Sequence, residues 1–339
     1  MSTRMFLEAA QAAQAVRDQL FSNAQEMERL GGRLRRLAPR AVITCARGSS
    51  DHAATFAKYL IETRLGVLTS SAAPSVSSVY DTRPNLTNSV CIAISQSGAS
   101  PDLLAAVSKA REAGAMIVAL VNAEGSPLAE RADHIVPLCA GAETSVAATK
   151  SFIASLSAII HLVSCWAQDR ELSEEIRKAP KHLERAWSLD WSAAIERLKP
   201  ATDLFVVGRG MGLGVAQEAA LKLKETCGLH AEAVSAAELR HGPMALVRPG
   251  FPVLLFAQND ETRAGVEVLA GELAARKAEV MMTGARCPGA LNLPSEPAHP
   301  VIEPMLIAQT FYRMANALSL ARGFDPDRPP HLSKVTETV

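Results

Sequence analysis

A chain of 339 residues with 35 Lys+Arg against 35 Asp+Glu has room for two domains of ordinary size. Its hydrophobic fraction of 48% and charged fraction of 21% are those of a globular protein and exclude wholesale disorder. A formal charge of +0 supplies no global field for polyanions, which argues against a nucleic-acid partner, although a local phosphate pocket needs only a few placed donors.

Residues 1–37 read as an amphipathic N-terminal helical segment. Its start, Met1-Ser2-Thr3-Arg4, lacks a secretory apolar core. A first α/β block follows over 38–170, with strands near 41–46, 66–70, 89–95, 116–122 and 134–138 and helices near 51–65, 101–113 and 126–132. These strand runs do not alternate polar with apolar residues, which predicts a parallel sheet covered on both faces. The longest apolar stretch, around Ala158–Trp166, contains His161 and falls short of the ~20 residues that span a bilayer, so no membrane partner is expected. A helical linker occupies 171–200, with a helical pattern through 172–198, a second α/β block 201–322, and a Pro-rich tail 323–339. The six cysteines are scattered with no CxxC pair, mostly in apolar runs, and read as buried free thiols of a reducing, cytoplasmic compartment.

The two blocks repeat at one offset of 162 residues. Ala41-Val42-Ile43-Thr44-Cys45 before Arg47-Gly48 corresponds to Asp203-Leu204-Phe205-Val206-Val207 before Arg209-Gly210. The same offset places Gly66 on Gly228, Gln96 on Gln258 and Val118 on Val280. A tandem duplication of a doubly wound parallel-sheet domain follows, with ligands expected at the carboxyl ends of the strands.

Three segments carry candidate chemistry. Ile92-Ala93-Ile94 runs into Ser95-Gln96-Ser97-Gly98-Ala99-Ser100-Pro101, a hydroxyl-rich loop that opens a helix and can cradle an anion, or simply cap that helix through Ser100. The second block reads Ala257-Gln258-Asn259-Asp260-Glu261 there, where two carboxylates would repel phosphate. That asymmetry fits one composite site rather than two independent ones. Arg47-Gly48-Ser49-Ser50-Asp51-His52 also ends a strand and opens a helix. Its hydroxyls suit ligand oxygens, with helix capping by Ser50 or Asp51 as the bland alternative.

Glu218, Lys222 and Glu225 share one helix face, either as a solvated ion-pair stripe or as a carboxylate–ammonium pair able to move protons. His241, before Gly242-Pro243, sits on a turn from which an imidazole can project. Gly208-Arg209-Gly210-Met211-Gly212-Leu213-Gly214 fails the dinucleotide pattern from either starting glycine, and no His pair has metal-ligand spacing. No cofactor and no metal are therefore expected.

The sequence resembles the sugar isomerase (SIS) superfamily, in particular the isomerase half of glucosamine-6-phosphate synthase. The resemblance rests on Ser95-Gln96-Ser97-Gly98, on Glu143 through Phe152, on Glu218 through Glu225, on Glu238-Leu239-Arg240-His241-Gly242-Pro243, and on Leu332-Ser333-Lys334. It implies two SIS domains and a small sugar phosphate as ligand. Ser95, Gln96, Ser97 and Ser100 would grip the 6-phosphate, and Ser49, Ser50, Val146 and Ser333 would bind the sugar. Glu225 would move a proton between C1 and C2, with Lys222 beside it. His241 would assist ring opening from the neighbouring subunit of a homodimer, and Lys334 would approach the carbonyl carbon.

The synthase also carries an N-terminal glutaminase domain, and a chain that enters SIS-type sequence within about forty residues leaves no room for one. Ala148, where a hydroxyl is usual, and Pro330-His331, where an arginine–asparagine pair is usual, depart from that relative. The reading that results is deamination of a hexosamine 6-phosphate, with glucosamine 6-phosphate giving fructose 6-phosphate and ammonia. An ammonia-dependent isomerase or aminotransferase, a fructosamine-6-phosphate deglycase and a non-catalytic sugar-phosphate sensor are the alternatives.

Overall fold

The structure is a computed structural model that describes residues 3–80, 82 and 84–334; the last five residues of the expected tail lie outside it. Among the described residues ten strands form two five-stranded sheets, and every neighbouring pair is parallel. In the first sheet these are β1 (Ala41–Cys45), β2 (Thr69–Ser71), β3 (Ser89–Ser95), β4 (Met116–Val121) and β5 (His134–Pro137), in the order β2-β1-β3-β4-β5. The second holds β6 (Asp203–Gly208), β7 (His230–Ser235), β8 (Pro252–Phe256), β9 (Glu279–Thr283) and β10 (Leu291–Leu293), in the order β10-β9-β8-β6-β7. Taken from its other edge, the second order repeats the first strand for strand. The chain is thus two tandem doubly wound α/β domains, each with its topological switch point where the first and third strands of its copy lie side by side.

The repeat extends to single residues. Gly66 and Gly228 end their helices, Ser49–Leu65 and Gly212–Cys227, in the left-handed conformation with φ of 65° and 61°. The hydrophobic strand runs are buried on both faces, as in β3, where all seven residues are buried. That accounts for their lack of polar alternation.

By contacts the chain divides into two compact units. The first comprises Gln14–Glu143, Lys150–Arg177 and residues 333–334, around the first sheet; the second comprises residues 3–13, Thr144–Thr149 and Lys178–Leu332, around the second. In the first unit the helix Lys150–Ala167 is long and apolar enough to cross a membrane by length and composition, more so than the 158–166 run suggested, and 89% of it is buried inside the protein. It packs on Ser49–Leu65 as a core helix.

Several element boundaries differ from expectation. The N-terminal segment is two helices, Arg4–Ala10 and Ala12–Leu37, because Gln11 turns its N–H back onto Ala9 and Glu8. The pattern through 172–198 is likewise two helices, Arg170–Ser188 and Ser192–Leu198, interrupted where the Asp190 carboxylate takes the N–H and hydroxyl of Ser192 at 2.8 and 3.0 Å. β2 begins three residues later than expected, since Gly66 is spent capping the preceding helix. All six cysteines are unpaired and five are buried.

Candidate active site

At the switch point of the first unit, β1 and β3 each deliver a polar loop. Ser95 ends β3, buried, and its Oγ accepts the Gly98 N–H at 2.9 Å, folding the loop into a tight turn. Gly98 has φ +64°, and a Cβ there would collide with Ser126 Oγ and lie 2.6 Å from Ser126 Cβ. Only glycine fits this turn without strain. Ser126 in turn caps the short helix Pro127–Glu130, so the loop is locked against fixed structure. Gln96 and Ser97 are half-buried; the Ser97 hydroxyl accepts from Ala99 N–H at 3.4 Å.

Ser100 occupies the N-cap position of Pro101–Glu112, yet its side chain makes no cap hydrogen bond. The plain capping reading therefore does not account for this hydroxyl, which stands at the first turn of the helix where N–H groups and dipole favour an anion. The other loop behaves similarly. Its helix begins at Ser49 with Gly48 as N-cap, so Ser50 and Asp51 lie inside the first turn rather than capping it. Ser49 and Ser50 are half-buried at its start. Burial pushes the Asp51 carboxyl upward, against the opposing pull of His52, Arg47 and a hydrogen bond from Ser71.

Also in the first unit, Glu143 is buried and accepts the Ser151 hydroxyl at 2.5 Å and the Ser151 N–H at 3.2 Å. Lys334 lies with its Nζ 3.5 Å from the same carboxylate, and Ser333 beside it is exposed.

The second unit carries a buried ladder on the helix Gly212–Cys227. Tyr312 donates its hydroxyl to Glu218 Oε1 at 2.9 Å. Lys222 Nζ lies 3.6 Å from that same oxygen and 2.5 Å from Glu225 Oε2. Glu218 and Lys222 side chains are each 1% exposed, whereas Glu225 is 19% exposed. The solvated-stripe reading is thus excluded. Two members are sealed in the core and the third, paired to the ammonium, lines a cavity of about 410 Å³ with Leu221, Phe324, Pro330 and Leu332. A carboxylate so placed is held by a charged partner and reachable from the cavity, as a general base must be.

His241 ends a short 3-10 turn, Glu238–His241, and is exposed. Its neighbour Arg240 pins that turn through a two-pronged bond to Glu272, at 3.0 and 3.1 Å. Val146 is half-buried in the segment Thr144–Thr149, which Glu8 holds in place. One Glu8 carboxylate takes the Thr144 N–H at 2.6 Å, the Thr144 hydroxyl at 3.0 Å, the Ser145 N–H at 3.2 Å and the Ser145 hydroxyl. Burial raises the Glu8 carboxyl, but these hydrogen bonds outweigh it and hold the group below the ordinary glutamate range.

The SIS domain family pattern matches residues 38–164 and 197–283. This chain belongs to the SIS domain family. It is 35% identical over 317 residues to the glutamine–fructose-6-phosphate aminotransferase (isomerizing) of Aeropyrum pernix, an alignment covering 86% of the chain and 50% of that enzyme. The chain thus spans about half the length of the curated relatives it matches. A Silicibacter pomeroyi protein described as a candidate phosphosugar isomerase superposes with a TM-score of 0.93 at 42% identity, over 96% of this chain and all of that one. The fold is shared with a Thermotoga maritima glucosamine-6-phosphate deaminase, with TM-score 0.79, 22% identity and 99% of this chain covered.

Within the second SIS copy, the loop after β8 is closed by the protein's own carboxylates. Glu303 takes the Asn259 N–H at 2.6 Å, and Asp260 accepts from Gln258 at 2.5 Å and from Thr262. Gly208, which ends β6, serves packing, since a Cβ there would lie 2.5 Å from the Gly212 carbonyl oxygen. Among the described residues no cluster of three metal-ligating side chains occurs.

Tyr312, Glu8, Glu143 and Arg47 are the members of these clusters to which sequence reasoning assigned no part. Tyr312 follows Phe311 in an apolar helix, and nothing in its local pattern distinguishes it from a core aromatic.

Proposed function

We propose that this SIS protein deaminates a hexosamine 6-phosphate, with glucosamine 6-phosphate as the leading substrate. Ser95, Gln96, Ser97 and Ser100 hold the 6-phosphate, with Ser49, Ser50, Val146 and Ser333 around the sugar. His241, supplied across a homodimer, opens the pyranose by moving a proton between the anomeric hydroxyl and the ring oxygen. Glu225 takes the proton from C2 and returns it to C1, converting the amino aldose to the imine of fructose 6-phosphate. Water then adds to C2 and ammonia leaves, so glucosamine 6-phosphate plus water gives fructose 6-phosphate plus ammonia. Lys334 approaches the carbonyl carbon of the open chain.

The observation that carries this reading is the ladder ending at Glu225. A single carboxylate, ion-paired to a buried lysine and bordering a cavity, suits a proton shuttle across two carbons. Relatives named as isomerizing aminotransferases support the substrate class. Of the two directions, deamination needs only water as co-reactant. Six unpaired cysteines, with burial pushing the Cys45 thiol up to about 12, fit a reducing cytoplasm.

The test compares wild type with Glu225→Gln on glucosamine 6-phosphate, galactosamine 6-phosphate and a fructosamine 6-phosphate. Expected is ammonia from the first, with kcat lowered roughly 100-fold or more by the substitution. Equal turnover by the two proteins would remove Glu225 from the chemistry. Turnover of the fructosamine 6-phosphate alone would make the protein a deglycase.

A further inference from the structure

The loop Ser95–Ser100 carries no charge of its own, whereas a phosphate monoester at neutral pH carries nearly two. Neutral donors and a helix N-terminus attract such a group, but a guanidinium fork binds it more tightly and with defined geometry. One stands beside this loop. Arg47 follows β1; its Nε donates to Oδ2 of Asp102 at 2.6 Å, and its Nη2 lies 2.6 Å from the same oxygen in an ion pair. Asp102 is the second residue of the helix Pro101–Glu112, two positions beyond Ser100, and is buried. The Arg47 side chain is 51% exposed. A guanidinium has five N–H donors, more than the contact with Asp102 uses.

The second SIS copy provides an internal control. Arg209 stands at the same offset after β6, but its Nη1 goes to Ser235 Oγ at 3.3 Å. Ala264 occupies the position equivalent to Asp102, and the adjoining loop has its Asn259 N–H filled by Glu303. The arginine is therefore clamped to the helix after the third strand in the copy whose loop keeps its hydroxyls, and not in the copy whose loop has become acidic. A clamp needed only for folding the doubly wound unit would be expected in both.

We infer that Arg47 is a phosphate-binding residue, held by Asp102 at the start of the helix so that its remaining N–H groups meet the phosphate oxygens of the ligand. The inference rests on the phosphosugar reading above and assigns the counter-charge that reading lacks. Asp102 is a positioning residue in this arrangement, fixing the guanidinium in one orientation.

Binding of glucosamine 6-phosphate, unphosphorylated glucosamine and inorganic phosphate to the full chain, measured by calorimetry, tests it. The proteins are wild type, Arg47→Lys, Arg47→Met and the double variant Arg47→Met/Asp102→Asn. The double variant removes both charges, so no buried carboxylate is left unpaired and the fold is spared that penalty. Expected is a loss of roughly 10- to 100-fold in affinity for both phosphate ligands in Arg47→Met and in the double variant, and a smaller loss in Arg47→Lys. Wild-type affinity in a folded double variant would reduce Arg47 to a structural clamp and overturn the inference, with the phosphosugar reading intact. Failure of the wild type to bind either phosphate ligand would overturn that reading, and the inference with it.

Discussion

Replacing Lys222 by Met removes the one cation from the ladder Tyr312–Glu218–Lys222–Glu225 while keeping most of the side-chain volume. Two carboxylates, one of them 1% exposed, then face an apolar chain end where an ammonium stood at 3.6 and 2.5 Å. Removing one partner of a buried ion pair costs about 3–5 kcal/mol, because the other charge stays buried and unpaired. For a unit of this size each kcal/mol shifts Tm by roughly 2–4 °C, which sets the expected fall at roughly 6–20 °C. Adding Glu218→Gln to Lys222→Met removes the orphaned buried charge, so the double variant should recover more than about 1 kcal/mol of coupling energy. The assay is thermal and urea unfolding followed by near-ultraviolet circular dichroism, which reports the packing of the buried aromatic residues around Tyr312. A Tm fall under about 2 °C for Lys222→Met, or a double variant no better than the sum of its singles, would refute the buried-ladder reasoning.

Three further outcomes follow from other contacts. Glu8→Ala should cost roughly 2–3 kcal/mol by releasing the donors of Thr144 and Ser145. Because the folded Glu8 carboxyl is held below the ordinary glutamate range, its contribution is full above that range and fades as pH falls through the folded value; the stability gap between wild type and variant should be smaller at pH 3 than at pH 7. Burial lowers the His161 imidazole to about 4 from 6.5, and its Nδ1 has no hydrogen-bond partner, so acidification between those values favours the unfolded chain, which takes up the proton more readily. The loss is ~2 kcal/mol at pH 5 and should vanish in His161→Gln; an unchanged pH slope in that variant would contradict the assignment. Gly98→Ala forces a side chain against Ser126 at positive φ and should cost at least ~1–2 kcal/mol along with phosphate affinity; calorimetry with inorganic phosphate reads the second effect.

Much of the fold was legible because the chain states it twice. The 162-residue offset that pairs Gly66 with Gly228 pairs two left-handed helix ends, and the strand orders coincide. Local chemistry was legible where it lies within one turn, as in Glu218, Lys222 and Glu225, or within one loop, as in Ser95–Ser100. Contacts across long stretches of chain were not. Tyr312 meets Glu218 over 94 residues, Arg47 meets Asp102 over 55, and Glu8 meets Ser145 over 137. No periodicity encodes such pairs; they arise from the order in which parallel strands are laid side by side. The N-terminal helix shows the same limit, since its break at Gln11 is a change of hydrogen-bonding partner that leaves the apolar pattern intact.

The central claim is best tested by stoichiometry. Purified protein is incubated with glucosamine 6-phosphate in buffer alone, and ammonia and fructose 6-phosphate are counted over time. Deamination predicts the two products in equal amounts, appearing together and abolished in Glu225→Gln. Fructose 6-phosphate and ammonia both absent, while the sugar phosphate binds, would contradict it.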